Sequence, residues 1–255
     1  PNAKVKVYDI NDTNTVGNTS LFNIVPNLKL TSHNGGQNAP VGSTQYVTWT
    51  QAASSLVNVY YSLNNGTNWT PIETVNPGGN SSMTTNWVIV NNTAVSNQAK
   101  VKIEDNANPS VSYSISNNSF NVIGVFNITD PENGNISYAN EYYNVTWDKT
   151  KTTGIGNVIV DYRTNDTSSW INIANASNAT QTVPNLGYYE WLSVPGSLLT
   201  TEAKIRITDP NNANSTDTGL NYFEIRGRIN VAKPNGGESW QIYENQPINW
   251  TTQGN

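Results

Sequence analysis

Cysteine is missing from all 255 residues, so no disulfide staples this chain and no thiol is available as nucleophile or metal ligand. Charge is scarce as well: charged residues make up 12% of the chain, about half the typical fraction. The 13 Lys and Arg are scattered singly under a net charge of -5, which leaves no basic stripe for a phosphate backbone and excludes nucleic acid as a partner. No apolar run reaches the roughly 18 residues needed to cross a bilayer. The first residues, PNAKVKVYD, carry no charged segment followed by an apolar one, so neither a membrane span nor a targeting segment is expected in this window. What fills the space is neutral polarity: 43 Asn, 29 Thr and 22 Ser supply more than a third of the chain. Such a surface suits turns, hydrogen bonding and glycans, and in a cysteine-free chain it points to a prokaryotic cell surface.

Self-comparison finds one phrase three times, AKVKVYD at 3–9, AKVKIED at 99–105 and AKIRITD at 203–209. Each copy is followed by an Asn-rich turn and an apolar segment: SLFNIVP from Ser20, SFNVIG from Ser119 and NYFEIRG from Asn221. The Trp residues keep the same step, with Trp49, Trp147 and Trp250 in matching segments, Trp69 paired with Trp170, and Trp87 with Trp191. A period near 100 residues is that of a whole β-sandwich domain rather than of a solenoid repeat.

Within one period the pattern predicts seven short strands, at 28–32, 45–50, 56–62, 69–74, 85–90, 99–104 and 119–123. They alternate with period two: Val47 and Trp49 face one way, as do Val101 and Ile103, while Lys100, Lys102 and Glu104 face the other. In the next period Val145, Trp147, Val158, Val160, Tyr162, Ile205 and Ile207 take the inward places. Clusters such as NNG, NPGGN and TDPENGN break the runs, and nothing sustains a 3.6-residue period, so helix is not expected.

The fold class is therefore all-β, a tandem of seven-stranded antiparallel Ig-like or fibronectin-III-like β-sandwiches. We place complete repeats at 27–124 and 125–227, joined with almost no linker and so by stiff joints. Residues 1–26 match only the last two strands of a repeat and 228–255 only the first two, as expected of a window cut from a longer periodic chain.

The phrase PNGGESW at 234–240 followed by PINW at 247–250 resembles the opening of the Ser/Thr-rich repeat of microbial cell-surface proteins, distantly shared with fungal cell-wall glycoproteins. VYYSLNNGTNW at 59–69, EWLSVP at 190–195 and AKIRITD at 203–209 are similar to that repeat's later strands. The opening is weaker in the other copies, HNGGQNA at 33–39 and PENGNIS at 131–137. The resemblance implies an Ig-like or fibronectin-like repeat on an exported protein, with no enzymatic residues.

Glycan acceptors are the main functional signal. Asn-Xaa-Ser/Thr sequons occur at Asn11, Asn18, Asn65, Asn68, Asn80, Asn91, Asn117, Asn127, Asn135, Asn144, Asn165, Asn175, Asn178, Asn214 and Asn249. Composition alone would give roughly nine. With Trp147 and Trp250 inward, period two puts Asn144 and Asn249 on the solvent side, although Asn is also simply a good turn residue.

The acidic loops DINDTN, TDPENGN and TDPNNANSTD could gather around Ca²⁺, yet hairpins needing left-handed residues explain the same letters, and no cofactor is expected. SLNNGTNW at 62–69 is similar to the Asp-box hairpin of sialidases, a structural element. His33 has no equivalent in the other copies and reads as a surface turn residue. Glu104 and Asp105, adjacent on one strand, point to opposite faces and cannot flank one bond. Recurrent Trp residues read as core, leaving Trp240 as the one free to make a contact.

The leading functional expectation is a non-enzymatic structural segment of an extracellular, N-glycosylated fibre or surface layer. Its partners would be neighbouring copies of itself, head to tail. An adhesin or carbohydrate-binding module is the alternative, and a spacer within a large exported enzyme a third.

Overall fold

A computed structural model describes residues 2–132, 134–174 and 181–254, and among these there is no helix. By contact density the chain divides into one unit of residues 1–39, 43–89 and 96–122 and another of 40–42, 90–95 and 123–255.

The first unit opens with short strands β1 (Asn2–Ala3), β2 (Lys6–Tyr8), β3 (Val16–Asn18) and β4 (Phe22–Asn23), paired antiparallel as β1 with β4 and β2 with β3. Next come β5 (Asn27–Leu30), β6 (Asn38–Pro40), β7 (Thr44–Ala52), β8 (Val57–Ser62), β9 (Thr70–Val75), β10 (Ser82–Val88), β11 (Ser96–Asp105), β12 (Tyr113–Ile115) and β13 (Phe120–Ile123). They form two sheets, ordered β10-β7-β5 and β6-β13-β11-β8-β9, with β12 also pairing β11. All seven expected strands are present, and β6 and β12 are two short additions. Alternation explains the core: Val47 and Trp49 of β7 and Ala99, Val101 and Ile103 of β11 are fully buried. Each large side chain so buried contributes about 1.5–3 kcal/mol.

In the second unit β14 (Val125–Asp130), β15 (Ile136–Tyr138), β16 (Tyr143–Lys151), β17 (Asn157–Arg163), β18 (Ile171–Asn172), β19 (Val183–Pro184), β20 (Tyr188–Trp191), β21 (Thr200–Asp209), β22 (Asn212–Thr218) and β23 (Phe223–Arg226) repeat the plan. The sheets run β14-β16-β20 and β15-β23-β21-β17-β18, with β19 and β22 as side branches. Val145, Trp147, Val158, Val160, Tyr162, Ile205, Ile207 and Phe223 belong to one buried cluster. The antiparallel expectation is broken where the opening segment of each unit meets the last strand: β15 pairs parallel with β23, and around β6 and β13 the Asn121 amide donates to the Gln37 carbonyl and the Val41 amide to the Ile123 carbonyl, again in the parallel sense. In both units the opening segment passes from one sheet to the other, β5 to β6 and β14 to β15. A final hairpin joins β24 (Arg228–Lys233) to β25 (Asn249–Gln253).

Register repeats with the sequence. Leu30 lies opposite Trp49, Ile128 opposite Trp147 and Val231 opposite Trp250. Ala3 lies opposite Phe22, Ala99 opposite Phe120 and Ala203 opposite Phe223. A glycine recurs at the start of the opening strand: a Cβ on Gly227 would stand 2.8 Å from the Gln253 carbonyl oxygen, and one on Gly124 3.3 Å from that of Lys151. These two closely approached backbones explain glycines that periodicity does not reveal.

Candidate functional site: the asparagine surface and the outer sheet face

Thirteen of the fifteen sequon asparagines fall among the described residues, while Asn175 and Asn178 lie outside them. Ten are exposed and sit on turns or strand edges; Asn135, Asn144 and Asn165 are half-buried. Asn135 Nδ2, the atom a sugar would be attached to, donates to Asp130 Oδ1 at 2.7 Å. Burial raises the Asp130 carboxyl above its ordinary pKa, against the Tyr143 hydroxyl that donates to it at 3.1 Å. Asn144 stands on the outer side of β16 as period two requires, but its Oδ1 is buried without a partner. At Asn165 the side-chain oxygen accepts from the Thr167 amide (3.0 Å), the Thr167 hydroxyl (2.8 Å) and the Ser168 amide (2.8 Å). Its nitrogen is not drawn into that turn.

The Asp-box-like hairpin has the expected structural form. Ser62 Oγ accepts the Gly66 amide at 2.9 Å, and Asn64 Oδ1 accepts the Asn68 amide at 2.9 Å. Gly66 takes a left-handed φ of 86° against the Trp69 ring. In the acidic loops several carboxylates serve their own turns, as where Asp12 accepts from the Asn14 amide and the Thr15 hydroxyl and Asp209 from the Asn211 amide, while Asp217 accepts the Ile128 amide of β14. Among the described residues no three His, Asp or Glu side chains gather into a metal-binding group.

Two side-chain placements correct the sequence expectations. His33 is buried, not on the surface. Its φ of 52° turns the ring inward, where it packs edge-on to Trp87 and Phe120 at centroid distances of 6.0 and 5.1 Å. In the other copies proline fills this place, as Pro131 and Pro234. The ring lies 3.0 Å from Ser32 Oγ, and that hydroxyl accepts the Thr48 amide.

Burial lowers the His33 pKa against an opposing hydrogen bond with Gln45. A group that protonates more readily unfolded than folded makes stability fall as pH drops through about 6.5 towards the lower folded value. Thermal melts should therefore lose stability between pH 7 and 5, and His33→Asn, which suits the left-handed backbone, should remove that slope. An unchanged slope in the variant would place its origin elsewhere.

Trp69 and Trp170 are the second correction. Four of the recurrent Trp residues, Trp49, Trp87, Trp147 and Trp191, are core, but these two are half-exposed on the outer sheet face. Lys102 stands over Trp69 at 5.2 Å and over Tyr60 at 4.7 Å. Arg163 and Arg206 stand over Trp170 at 4.6 and 4.5 Å. Lys102 and Arg206 hold the same place in the repeated phrase, so each recurrent Trp partners a recurrent cation rather than the core. Trp240 is exposed, in keeping with a residue free to make contacts.

No family model and no curated protein matches this chain. Among solved structures it is similar to fibronectin(III)-like modules of Clostridium thermocellum CbhA, at 14% identity and TM-score 0.25, over 78% of this chain and 94% of that one. A titin structure, Titin-A168169, gives 9% identity and TM-score 0.38 over 80% and 100% of the two chains. The N-terminal four Ig domains of Dscam1 give 10% and 0.35 over 80% and 47%. The sheets and registers of this chain define it as a tandem all-β protein of Ig-like and fibronectin-III-like sandwiches. Among the described residues no helix is long and apolar enough to cross a membrane.

Proposed function

We propose that this chain is a structural segment of an extracellular, N-glycosylated surface array, in which sandwiches of the 27–124 and 125–227 kind are continued by further copies of the same repeat. One observation carries the reading. Trp250 is 59% exposed, whereas the residues in the same register, Trp49 and Trp147, are 0% and 3% exposed. Val5 and Val7 are likewise open, whereas Val101 with Ile103, and Ile205 with Ile207, are buried. Phe22 and Ile24, and Ile229, Val231 and Ile248, are exposed in the same way. Each of these faces has the pairing register of a sandwich half without its opposing sheet, and an open apolar two-stranded piece is marginal in water. The complement that fits is the opposing sheet of another such repeat, which gives a head-to-tail array that grows without closing. The resemblance to microbial Ser/Thr-rich surface repeats and the ten exposed sequons support the extracellular, glycosylated setting.

The glycan half of the reading predicts that protein from its native host is heavier than 27.9 kDa for this stretch by whole sugar chains. Peptide mapping should find them at exposed sequons such as Asn11 and Asn249 and least at Asn135, whose amide nitrogen is engaged. A bare mass would remove glycosylation from the account and leave the array untouched.

A further inference from the structure

An asparagine followed by glycine is chemically short-lived, because glycine has no side chain to hinder attack by its own backbone nitrogen. Once that nitrogen loses its proton, it adds to the carbonyl carbon of the asparagine side chain. The new N–C bond closes a succinimide, the bond to the amide nitrogen breaks, and ammonia leaves with the proton. Water then opens the ring to aspartate or isoaspartate. This chain, with its 43 Asn, carries Asn-Gly at Asn34, Asn65, Asn133 and Asn235, of which Asn133 lies outside the described residues.

At the other three pairs a side-chain oxygen takes the glycine amide. Gly35 N donates to Gln37 Oε1 at 3.0 Å, Gly66 N to Ser62 Oγ at 2.9 Å and Gly236 N to Glu238 Oε2 at 2.8 Å. Ser62 precedes its asparagine while Gln37 and Glu238 follow theirs, so what the three turns share is the capture itself. Glu238 does most, since its Oε1 also accepts the Asn235 amide at 2.9 Å. These backbone amides, Asn235 first, hold the Glu238 carboxyl below its ordinary pKa, so it is ionised at neutral pH. A negative charge against an amide that must itself become an anion opposes the first step more strongly than a neutral acceptor does. Asn34 has a second restraint, because its Nδ2 donates to the Leu30 carbonyl at 3.2 Å. Asn235 is exposed and depends on Glu238, whose bonds are local to the turn and need no opposing sheet. We propose that Gln37, Ser62 and Glu238 protect these Asn-Gly bonds from succinimide formation, so that a surface built on asparagine survives long exposure. The inference depends on neither the array nor its glycans.

The test holds the full chain at mildly alkaline pH and follows deamidation and isoaspartate at each site by peptide mapping, with the urea-unfolded chain as reference. The chain is made without sugars, because a glycan on the Asn65 sequon would itself block the reaction. Folded, the three sites should react about tenfold more slowly than unfolded, or slower still. Glu238→Ala should speed the reaction at Asn235 by about tenfold and leave Asn34 and Asn65 at their wild-type rates. Glu238→Gln should fall between, since it keeps an acceptor oxygen and loses the charge, and it decides the matter if the alanine variant loosens the hairpin. Gln37→Ala should speed Asn34 only several-fold, because the Leu30 carbonyl still holds that side chain, and Gln37→Glu should not speed it at all. Folded rates equal to unfolded ones, an Asn235 rate unmoved by both Glu238 variants, or a uniform rise at all three sites, which reports a looser fold, would each overturn the proposal.

Discussion

Replacing Trp147 with alanine should lower the stability of the second sandwich by about 3–5 kcal/mol, the cost of removing a large buried aromatic from a packed core. Trp147 belongs to the buried cluster with Val145, Val160 and Ile205, and its indole Nε1 donates to Asn185 Oδ1 at 2.9 Å. Asn185 is itself anchored, giving its amide to Thr152 Oγ1 at 2.9 Å and the Ile155 carbonyl at 3.1 Å. Alanine therefore leaves both a cavity and an unpaired amide oxygen. The matching Trp49 differs in one respect, because its Nε1 is buried without a partner. Phenylalanine removes the donor in either position, relieving an unmet group at Trp49 but creating one at Trp147. Trp147→Phe should thus cost about 1–3 kcal/mol more than Trp49→Phe. Urea unfolding of the single variants measures both values, and equal costs for the two Phe variants would contradict the role given to Asn185.

The second large effect is expected at Asp105, the closing residue of AKVKIED. Its carboxylate is buried and accepts the Ser54 hydroxyl at 2.6 Å and the Asn108 side-chain amide at 2.8 Å. Burial alone would raise its pKa, but these donors outweigh burial and hold it below the ordinary value. Asp105→Ala strands two donors at once and should cost about 3 kcal/mol, with Asp105→Asn costing less because it keeps an acceptor. The sign of the pH effect follows from the depressed folded pKa. Stability from this group is present above the unfolded carboxylate pKa of about 3.9 and is lost as pH falls through the lower folded value. The alanine variant should therefore lack part of the unfolding slope below pH 4, a window separate from that of His33. A wild-type slope in Asp105→Ala would assign acid unfolding to other carboxylates.

Much of this fold is legible in the sequence, because a β-sandwich writes its core at period two and this chain writes it more than once. Val47, Trp49, Val101, Val145, Trp147 and Ile205 were each identifiable from alternation, and each is buried. Alternation is silent about residues in turns, and His33 lies in one. Whether a turn side chain folds inward depends on its φ and on the room left between Trp87 and Phe120. Recurrence is silent about direction as well: Trp69 and Trp170 recur because an outward cation needs an aromatic partner, and the clue lay in Lys102 and Arg206 recurring at outward parity. The cation cluster of the second unit was hidden because Arg163 is far in the chain from Lys204 and Arg206 and meets them only across the β17–β21 ladder, where it lies opposite Lys204.

The apolar faces of residues 1–26 and 228–255 are the centre of the functional account, and backbone amide hydrogen exchange tests it most directly. In the purified 255-residue chain as a monodisperse monomer, amides of β2, β24 and β25 should exchange far faster than those of β7, β11, β16 and β21. In the native assembly the same amides should become as protected as the sandwich strands, because another repeat covers them. Equal protection of these strands and the sandwich strands in the isolated monomer would contradict the account, since faces that are already stable alone need no neighbouring repeat.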